Sequence, residues 1–280
     1  MTSSILSKLN KLKILERLNI IEYKINQFQS KSFEIQPKTD SIEIDKLKIE
    51  IDYIKNILSD HKNQFSNTDI QKDIPQLISY LSFEDKFRGS KSVITNRQKL
   101  YLKYFLNKKN ILDLGCGRGE FLQLLEQENI ICLGIDNNQE MIFLCQKNGL
   151  NVRNSSLFDY LKSCPNNIHG GITAFQVIEH IETNRIPEFV YLCFKKITRN
   201  GVVVVETINP HCLQALANFW ADLTHQKPIV PLTLKHIFEE IGFSKVNIIG
   251  RTPVHPHAKD FKLNPPDLTV YGDYAIVATK

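Results

Sequence analysis

The sequence has 280 residues, long enough for one large domain or for one domain with an appendage. Hydrophobic residues make up 42% and charged residues 23% of the chain, as in ordinary globular proteins. The formal net charge is +5, but Lys and Arg are interspersed with Asp and Glu, which argues against a dedicated nucleic-acid-binding surface.

The cysteines and the apolar segments indicate a compartment. Six cysteines are scattered without a CxxC pair, at positions 116, 132, 145, 164, 193 and 212. Several lie in apolar runs, which favours buried thiols in a reducing environment over disulfides or a zinc site. No apolar segment reaches the roughly 20 residues that span a bilayer, and the N-terminus is too charged for a secretory signal. We therefore expect a cytoplasmic protein, with mild attraction to a membrane surface still compatible with the charge.

Residues 1–65 are predicted to be an α-helical, coiled-coil extension. Apolar residues recur there in alternating steps of three and four, at Ile14, Leu18, Ile21, Ile25 and Phe28, and again at Ile44, Leu47, Ile51, Ile54 and Leu58. The spacing predicts two amphipathic helices that pair with each other or with a second chain, making a homo-oligomer. A helical lid packed on the main domain is an equally open alternative. Residues 66–108 are predicted as a helical cap or linker, with a turn at residues 88–90 between two helices.

Strands and helices alternate through residues 109–280, the main domain. The predicted strands are NILDLG, IICLGID, LNVRNS, GGITAFQV, GVVVVETI, KVNIIG and YAIVAT, and the predicted helices span 119–128, 138–148, 157–163, 184–198 and 232–241. This alternation predicts an α/β fold with a doubly wound, mostly parallel sheet. The segment between the last two strands is too rich in proline for a helix, so we expect an antiparallel final strand.

The stretch ILDLGCGRGEFL ends the first of these strands in a glycine-rich turn. Ligands of open α/β sheets bind at the carboxyl ends of the strands, where this turn falls. The dinucleotide pattern GxGxxG fails because Glu120 occupies the last glycine position, and the GK[ST] ending of a phosphate-binding loop is absent. Glycines instead lie at 115, 117 and 119.

Two acidic residues narrow the choice of ligand. Asp113 precedes the glycines, where a carboxylate would repel a pyrophosphate but suits an amino group and a positive centre. Asp136 ends the next strand, about 20 residues on, where a carboxylate can take both ribose hydroxyls. Two acids without a phosphate clamp indicate a nucleoside ligand.

The residues DLGCGRGEF followed by GIDNN resemble the class I S-adenosylmethionine-dependent methyltransferases, over about residues 83–280. The resemblance implies a Rossmann-like, seven-stranded sheet and S-adenosylmethionine as the cofactor; a degenerate dehydrogenase is the alternative. By motif position, Asp113, Gly115, Cys116 and Gly117 would border the methionine part, and Asp136 with Asn137 the ribose.

Other parts of the same motifs complete the implied cofactor site. Ser156 and Leu157 follow the third strand, at the usual adenine edge, although many relatives have Asp at the position of Ser156. Gln176 and Val177, in FQVIEHI, would lie beside the methyl-bearing sulfur. Arg88 would bind the methionine carboxylate, as would Arg97 on the same segment; a surface ion pair is the alternative for either.

A longer match in the sequence indicates a subgroup within this family. FEDKFRGS, AFQVIEHI and ETINPHCLQALANFWADLTHQKPIVP resemble methyltransferases associated with glycan assembly, some of which carry N-terminal coiled coils. Ile208 and Leu223 depart from that pattern. The resemblance implies O-methylation of a sugar in a cell-envelope glycan, with peripheral membrane or glycosyltransferase association as further expectations.

Methyl transfer to a hydroxyl calls for a general base, and imidazole suits that task. We predict His225 as the base, oriented by Asp222 or Glu206, with His180 as the alternative base. The competing interpretation is that His180 caps a helix and Glu206 positions a loop. No metal is predicted, and a metal site of Glu179, His180 and Glu206 is an alternative that has no recognised spacing.

Two other functions stay open. A small-molecule or quinone-type methyltransferase accounts equally well for the EH pair after the fourth strand, and a coiled-coil adaptor with a silent methyltransferase fold is a non-enzymatic alternative. Nucleic-acid methylation is disfavoured because FQVI replaces the N/D-P-P-Y/F tetrapeptide and no basic stripe with interleaved aromatics occurs.

Overall fold

The computed structural model describes residues 89–254 and 268–280. The predicted coiled-coil extension over 1–65, the stretch 66–88 with Arg88, and the segment 255–267 lie outside these residues. The strands are Ile111–Leu114 (β1), Cys132–Asp136 (β2), Val152–Asn154 (β3), His169–Phe175 (β4), Ile197–Ile208 (β5), Lys245–Pro253 (β6) and Tyr271–Thr279 (β7). The α-helices are Lys91–Gln98 (α1), Glu120–Gln127 (α2), Gln139–Lys147 (α3), Leu157–Ser163 (α4), Ile186–Lys196 (α5), Leu213–Phe219 (α6) and Pro231–Ile241 (α7).

All seven strands form one sheet in the order β3-β2-β1-β4-β5-β7-β6. Strands β1 to β5 are parallel to their neighbours, whereas β7 runs antiparallel to both β5 and β6. The predicted Rossmann-like sheet and its antiparallel last strand are thereby confirmed. The strand order reverses between β1 and β4, which opens a crevice at their carboxyl ends.

The core has two layers because side chains alternate across the strands. On one face, α4, α5 and α7 pack against the sheet through large apolar residues, among them Leu161, Phe189 and Phe238. On the other face, α2 and the chain after α1 contribute Tyr101, Phe105 and Phe121. Burial of each such side chain stabilises the fold by about 1.5–3 kcal/mol.

Three local features differ from the sequence-based expectation. Helix α6 was not predicted, because it is short and presents Leu213 to solvent. The helix after the turn at residue 90 becomes a 3₁₀ turn at Lys99–Tyr104. Strand β5 begins at Ile197 rather than Gly201, with an irregular register opposite His169. Within the two described ranges, no helix combines the length and the apolar character needed to cross a bilayer.

Candidate active site

The glycine turn after β1 depends on backbone conformations that side chains disfavour. Gly115 and Gly117 have φ values of 66° and 52°, and the Gly115 N–H donates to the carbonyl of Ile135 at 2.7 Å. A Cβ atom at Gly115 would lie 2.5 Å from Cγ2 of Val177. The glycine turn and the loop after β4 are therefore in contact, while the cofactor contacts of Gly115 and Val177 stay predictions.

Asp136 organises the same turn from the end of β2. Its carboxylate accepts hydrogen bonds from Gly117 N at 2.9 Å and from Asn138 N at 2.8 Å. Both bonds hold the Asp136 carboxylate at the carboxyl end of β2, beside the glycine turn. Asn137 is exposed beside it. Ribose binding by Asp136 and Asn137 stays a prediction.

Two other residues predicted to border the methionine part are directed inward. Asp113 is 2% exposed and accepts a hydrogen bond from Thr173 Oγ1 at 2.6 Å, which braces β1 against β4. Cys116 is 4% exposed, and its Sγ lies 2.7 Å from where a Cβ would stand on Gly134. The Cys116 side chain therefore has a packing role, a correction to its predicted cofactor contact.

Ser156 caps α4 after the third strand. Its Oγ accepts from Asp159 N at 3.1 Å and donates to Asp159 Oδ2 at 2.8 Å. The hydroxyl is thus engaged in helix capping, while the neighbouring Leu157 is half-buried and packs against the core. Their contact with the adenine edge stays a prediction.

A cluster of charges that we call the carboxylate cluster lies at the carboxyl end of β5, formed by Glu206, Asp273, Arg97, Tyr101 and Gln176. Arg97 Nη2 contacts Asp273 Oδ2 at 2.5 Å and Glu206 Oε1 at 3.4 Å. The Tyr101 hydroxyl donates to Glu206. Gln176 Nε2 donates to Asp273 Oδ1 at 3.2 Å. Burial, and then the charge of Glu206, raise the pKa of Asp273 to about 6.

The carboxylate cluster corrects three expectations. The Gln176 side chain donates to Asp273 and Glu206 instead of being directed at the cofactor, and its backbone has a left-handed conformation. Arg97 binds carboxylates of the protein itself. Glu206 is paired with Arg97 and Tyr101, and the structure does not bring it to His225.

A second group, which we call the histidine cluster, comprises Glu179, His180, Asp222, Thr224 and His225. The His180 and His225 ring centroids are 4.6 Å apart, and His225 Nε2 lies 3.7 Å from Asp222 Oδ2. Three of the four residues predicted for catalysis thus meet here.

The backbone of β5 separates the two clusters. Thr207 donates to Glu179 Oε2 at 3.0 Å, whereas its neighbour Glu206 joins the carboxylate cluster. Successive residues of a strand point to opposite faces of the sheet, so Glu206 cannot share the face of Thr207. This alternation is why Asp222, and not Glu206, lies beside His225.

Hydrogen bonds define the tautomers of both histidines. His225 Nδ1 lies 2.7 Å from the Phe219 carbonyl, which can only accept, so Nδ1 carries the proton. Thr224 Oγ1 donates its proton to Asp222 Oδ1 at 2.6 Å and must accept from His180 Nδ1 at 2.9 Å. Nδ1 of each imidazole therefore carries a proton, so Nε2 is the nitrogen through which each ring would accept a proton or bind a metal ion.

Asp222 supplies negative charge at the histidine cluster. Burial opposes its ionisation, but hydrogen bonds from the Thr224 hydroxyl and backbone, with the nearby charges of His225 and His180, lower the pKa of Asp222 overall. The carboxylate is therefore ionised beside the two imidazoles at neutral pH.

Sequence reasoning missed several residues that the structure places in these clusters. They are Tyr101, Thr207, Thr224 and Asp273. Asp273 could have been identified from the sequence, because it is an acidic residue in the otherwise apolar run YGDYAIVAT. The other three are ordinary residues of a helix, a strand and a loop, and only their partners make them notable.

The sheet order, the glycine turn and the spaced acid together define a class I S-adenosylmethionine-dependent methyltransferase. A family model described as a methyltransferase domain matches residues 86–248. A crystal structure of such a methyltransferase from Archaeoglobus fulgidus is 36% identical over 72% of this chain and 100% of its own, with a TM-score of 0.66. The chain therefore belongs to the S-adenosylmethionine-dependent methyltransferase family.

More distant structures share the fold. A Thermotoga maritima protein described as a possible histamine N-methyltransferase is 12% identical over 73% of this chain and 96% of its own, with a TM-score of 0.55. A Mesorhizobium loti methyltransferase is 15% identical over 69% of this chain and 100% of its own, with a TM-score of 0.51. No functionally curated protein sequence matches the chain.

Proposed function

We propose that the protein methylates a hydroxyl group of a sugar in a cell-envelope glycan. S-adenosylmethionine supplies an electrophilic methyl group on a sulfonium sulfur. Gly115, Gly117 and Asp136 form the turn and the carboxylate that would hold it, and the close approach of Gly115 to Val177 leaves no room for a side chain there.

The histidine cluster is the observation that carries the proposal of a hydroxyl acceptor. An alcohol is a poor nucleophile until it loses its proton, whereas a neutral amine already has a lone pair. His180 and His225 place an imidazole nitrogen each beside Glu179, in the segments that follow β4 and α6. Such a group is suited to activating an alcohol.

Aromatic surface near the cluster supports a sugar. Trp220 is 64% exposed, although its neighbour Phe219 is buried and packs on the His225 ring at 4.6 Å between centroids. An exposed indole offers a flat apolar face with a polar edge, which fits the face of a pyranose. The resemblance of the segment around Trp220 to glycan-associated methyltransferases points the same way.

The remaining expectations form part of the same proposal. All six cysteines are free and buried, which supports work in the cytoplasm. The heptad-like spacing in residues 1–65 supports association with a second copy, with a glycosyltransferase or with the membrane surface. A small-molecule acceptor is the second candidate, favoured by the EH pair at 179–180.

The test is methyl-labelled S-adenosylmethionine added to the full-length protein with a fractionated host lysate. We expect label in the polysaccharide or lipid-linked glycan fraction, and no label with Asp136→Ala, which removes the proposed ribose ligand. Label confined to small molecules would replace the glycan by a metabolite acceptor. No label, with S-adenosylhomocysteine binding demonstrated by calorimetry, would favour the adaptor.

A further inference from the structure

The histidine cluster brings together three potential metal ligands, Glu179, His180 and His225. A proton relay would not need all three of them so close together. One ligand atom from each residue lies within 4.8 Å of the other two. The residues belong to separate segments, since Glu179 and His180 form the 3₁₀ turn after β4 and His225 follows α6. The Gln226 N–H joins the two segments by donating to the Glu179 carbonyl at 2.8 Å.

We propose that these three side chains bind a divalent transition-metal ion. The ion takes the acceptor hydroxyl as a further ligand, and this second statement rests on the proposed function. His225 then acts as a metal ligand instead of the proton acceptor predicted from the sequence.

The surrounding hydrogen bonds orient all three ligands. Metal-bound histidines almost always donate their other N–H to a carbonyl or a similar acceptor. His225 donates Nδ1–H to the Phe219 carbonyl, and His180 donates Nδ1–H to Thr224 Oγ1. Thr207 donates to Glu179 Oε2 at 3.0 Å. In both imidazoles Nδ1 is thus the hydrogen-bond donor, and Nε2 is the nitrogen that would bind the cation.

Charge and exposure fit a divalent ion with open positions. Glu179 and Asp222 bring two carboxylates to the cluster, which balance a charge of +2. Glu179 is buried, whereas His180 and His225 are only partly buried. Three protein ligands then leave coordination positions for water or a hydroxyl, as in catalytic rather than structural metal sites.

The ligand types select the metal. Two imidazoles and one carboxylate suit first-row transition metals from Mn²⁺ to Zn²⁺, whereas Mg²⁺ and Ca²⁺ prefer oxygen ligands. A hydroxyl bound to such an ion has a lowered pKa, so it releases its proton to solvent near neutral pH. The ion thereby supplies the activation that a sugar hydroxyl requires.

The experiment uses full-length protein treated with a chelator and then titrated with Co²⁺, followed by its visible absorption. We expect one Co²⁺ equivalent that His180→Ala and His225→Ala each weaken by about 100-fold or more, and that Thr207→Val weakens by about 10-fold. His211→Ala is the matched control, because His211 is an exposed histidine of the same region, and it should bind Co²⁺ as the wild type does. Mg²⁺ should not compete at equal concentration.

Binding of S-adenosylhomocysteine, measured in parallel, reports whether each variant is folded. Should His225→Ala fail to fold, Glu179→Gln and Thr207→Val provide the same comparison. One result would overturn the metal site and leave the proposed function standing. In that result the wild-type protein binds S-adenosylhomocysteine but binds no Co²⁺ equivalent that these substitutions weaken. The opposite result would overturn the proposed function and leave the metal site standing. In that result one Co²⁺ equivalent binds and is weakened by these substitutions, but the label appears on an acceptor group that is not a hydroxyl.

Discussion

Gly115 and Gly149 both have left-handed backbones, with φ values of 66° and 75°, but their surroundings differ. A Cβ on Gly149 would meet no atom within 4 Å, whereas one on Gly115 would collide with Val177. Gly149→Ala should therefore cost about 1–2 kcal/mol of stability from backbone strain alone. We expect Gly115→Ala to cost more and also to weaken S-adenosylhomocysteine binding, as measured by urea unfolding and calorimetry.

A second variant separates strain from collision at Gly115. Val177→Ala removes the methyl group that the new Cβ would strike, so the double variant Gly115→Ala, Val177→Ala should be destabilised by less than the sum of the two single variants. Equal destabilisation by Gly115→Ala and Gly149→Ala would contradict the close approach of the glycine turn and the loop after β4.

The raised pKa of Asp273 predicts a pH dependence of stability. Because burial and the charge of Glu206 raise this pKa from 3.8 to about 6, the folded protein holds a proton that the unfolded chain releases between these pH values. The free energy of unfolding therefore falls as pH rises from about 4 to about 6, by up to about 3 kcal/mol from this group.

Asp273→Asn should abolish that contribution. Its unfolding free energy, measured in urea at several pH values, should gain on the wild type as pH rises through the same window. Glu128→Gln, a change at an exposed carboxylate, should follow the wild type. Parallel curves for Asp273→Asn and the wild type would show that the carboxyl group titrates normally.

At the scale of elements, Tyr101 of the 3₁₀ turn at Lys99–Tyr104 is hydrogen-bonded to two strands of the sheet. Tyr101 is fully buried, donates to Glu206 and accepts from Arg251 Nε at 3.0 Å. The Arg251 guanidinium also lies 4.7 Å from the centre of its ring. The hydroxyl of Tyr101 thus connects Glu206 of β5 to Arg251 of β6.

Removing this hydroxyl should destabilise the protein. Tyr101→Phe leaves the partly buried Arg251 and the buried Glu206 each without one partner, which costs about 1–3 kcal/mol. Thermal and urea unfolding would measure the loss. Tyr104→Phe, at a half-buried tyrosine of the same turn, should change stability by much less; a similar loss in both would indicate that the hydroxyl of Tyr101 has no special role.

The element scale also shows where sequence patterns stop being informative. Among the residues that the structure describes, five of the seven α-helices were predicted within two residues at each end, because their apolar positions, caps and breakers are local. For strand β5, the sequence pattern did not show which residues face which side of the sheet. A continuous apolar run such as GVVVVETI has no alternation, so nothing local showed which face Glu206 and Thr207 each occupy or which partners they meet there.

At the scale of the whole molecule, the sheet, the glycine turn and both clusters all lie within residues 89–254 and 268–280. We therefore expect a protein that lacks residues 1–65 to bind S-adenosylhomocysteine with affinity within about threefold of the full chain. If the heptad-like spacing makes an oligomer, the truncated particle should also be smaller, as light scattering after gel filtration would report. Loss of cofactor binding would instead support a helical lid.

The sequence by itself determined the fold class, the cofactor and the turn that would hold it, because these depend on residues close together in the chain and on a repeated alternation of strands and helices. Only the tertiary structure decided which polar side chains meet. Glu206 joins Asp273 and Arg97, and His180 joins His225, because strand order and side-chain alternation bring distant residues to one face of the sheet. No local pattern encodes that meeting.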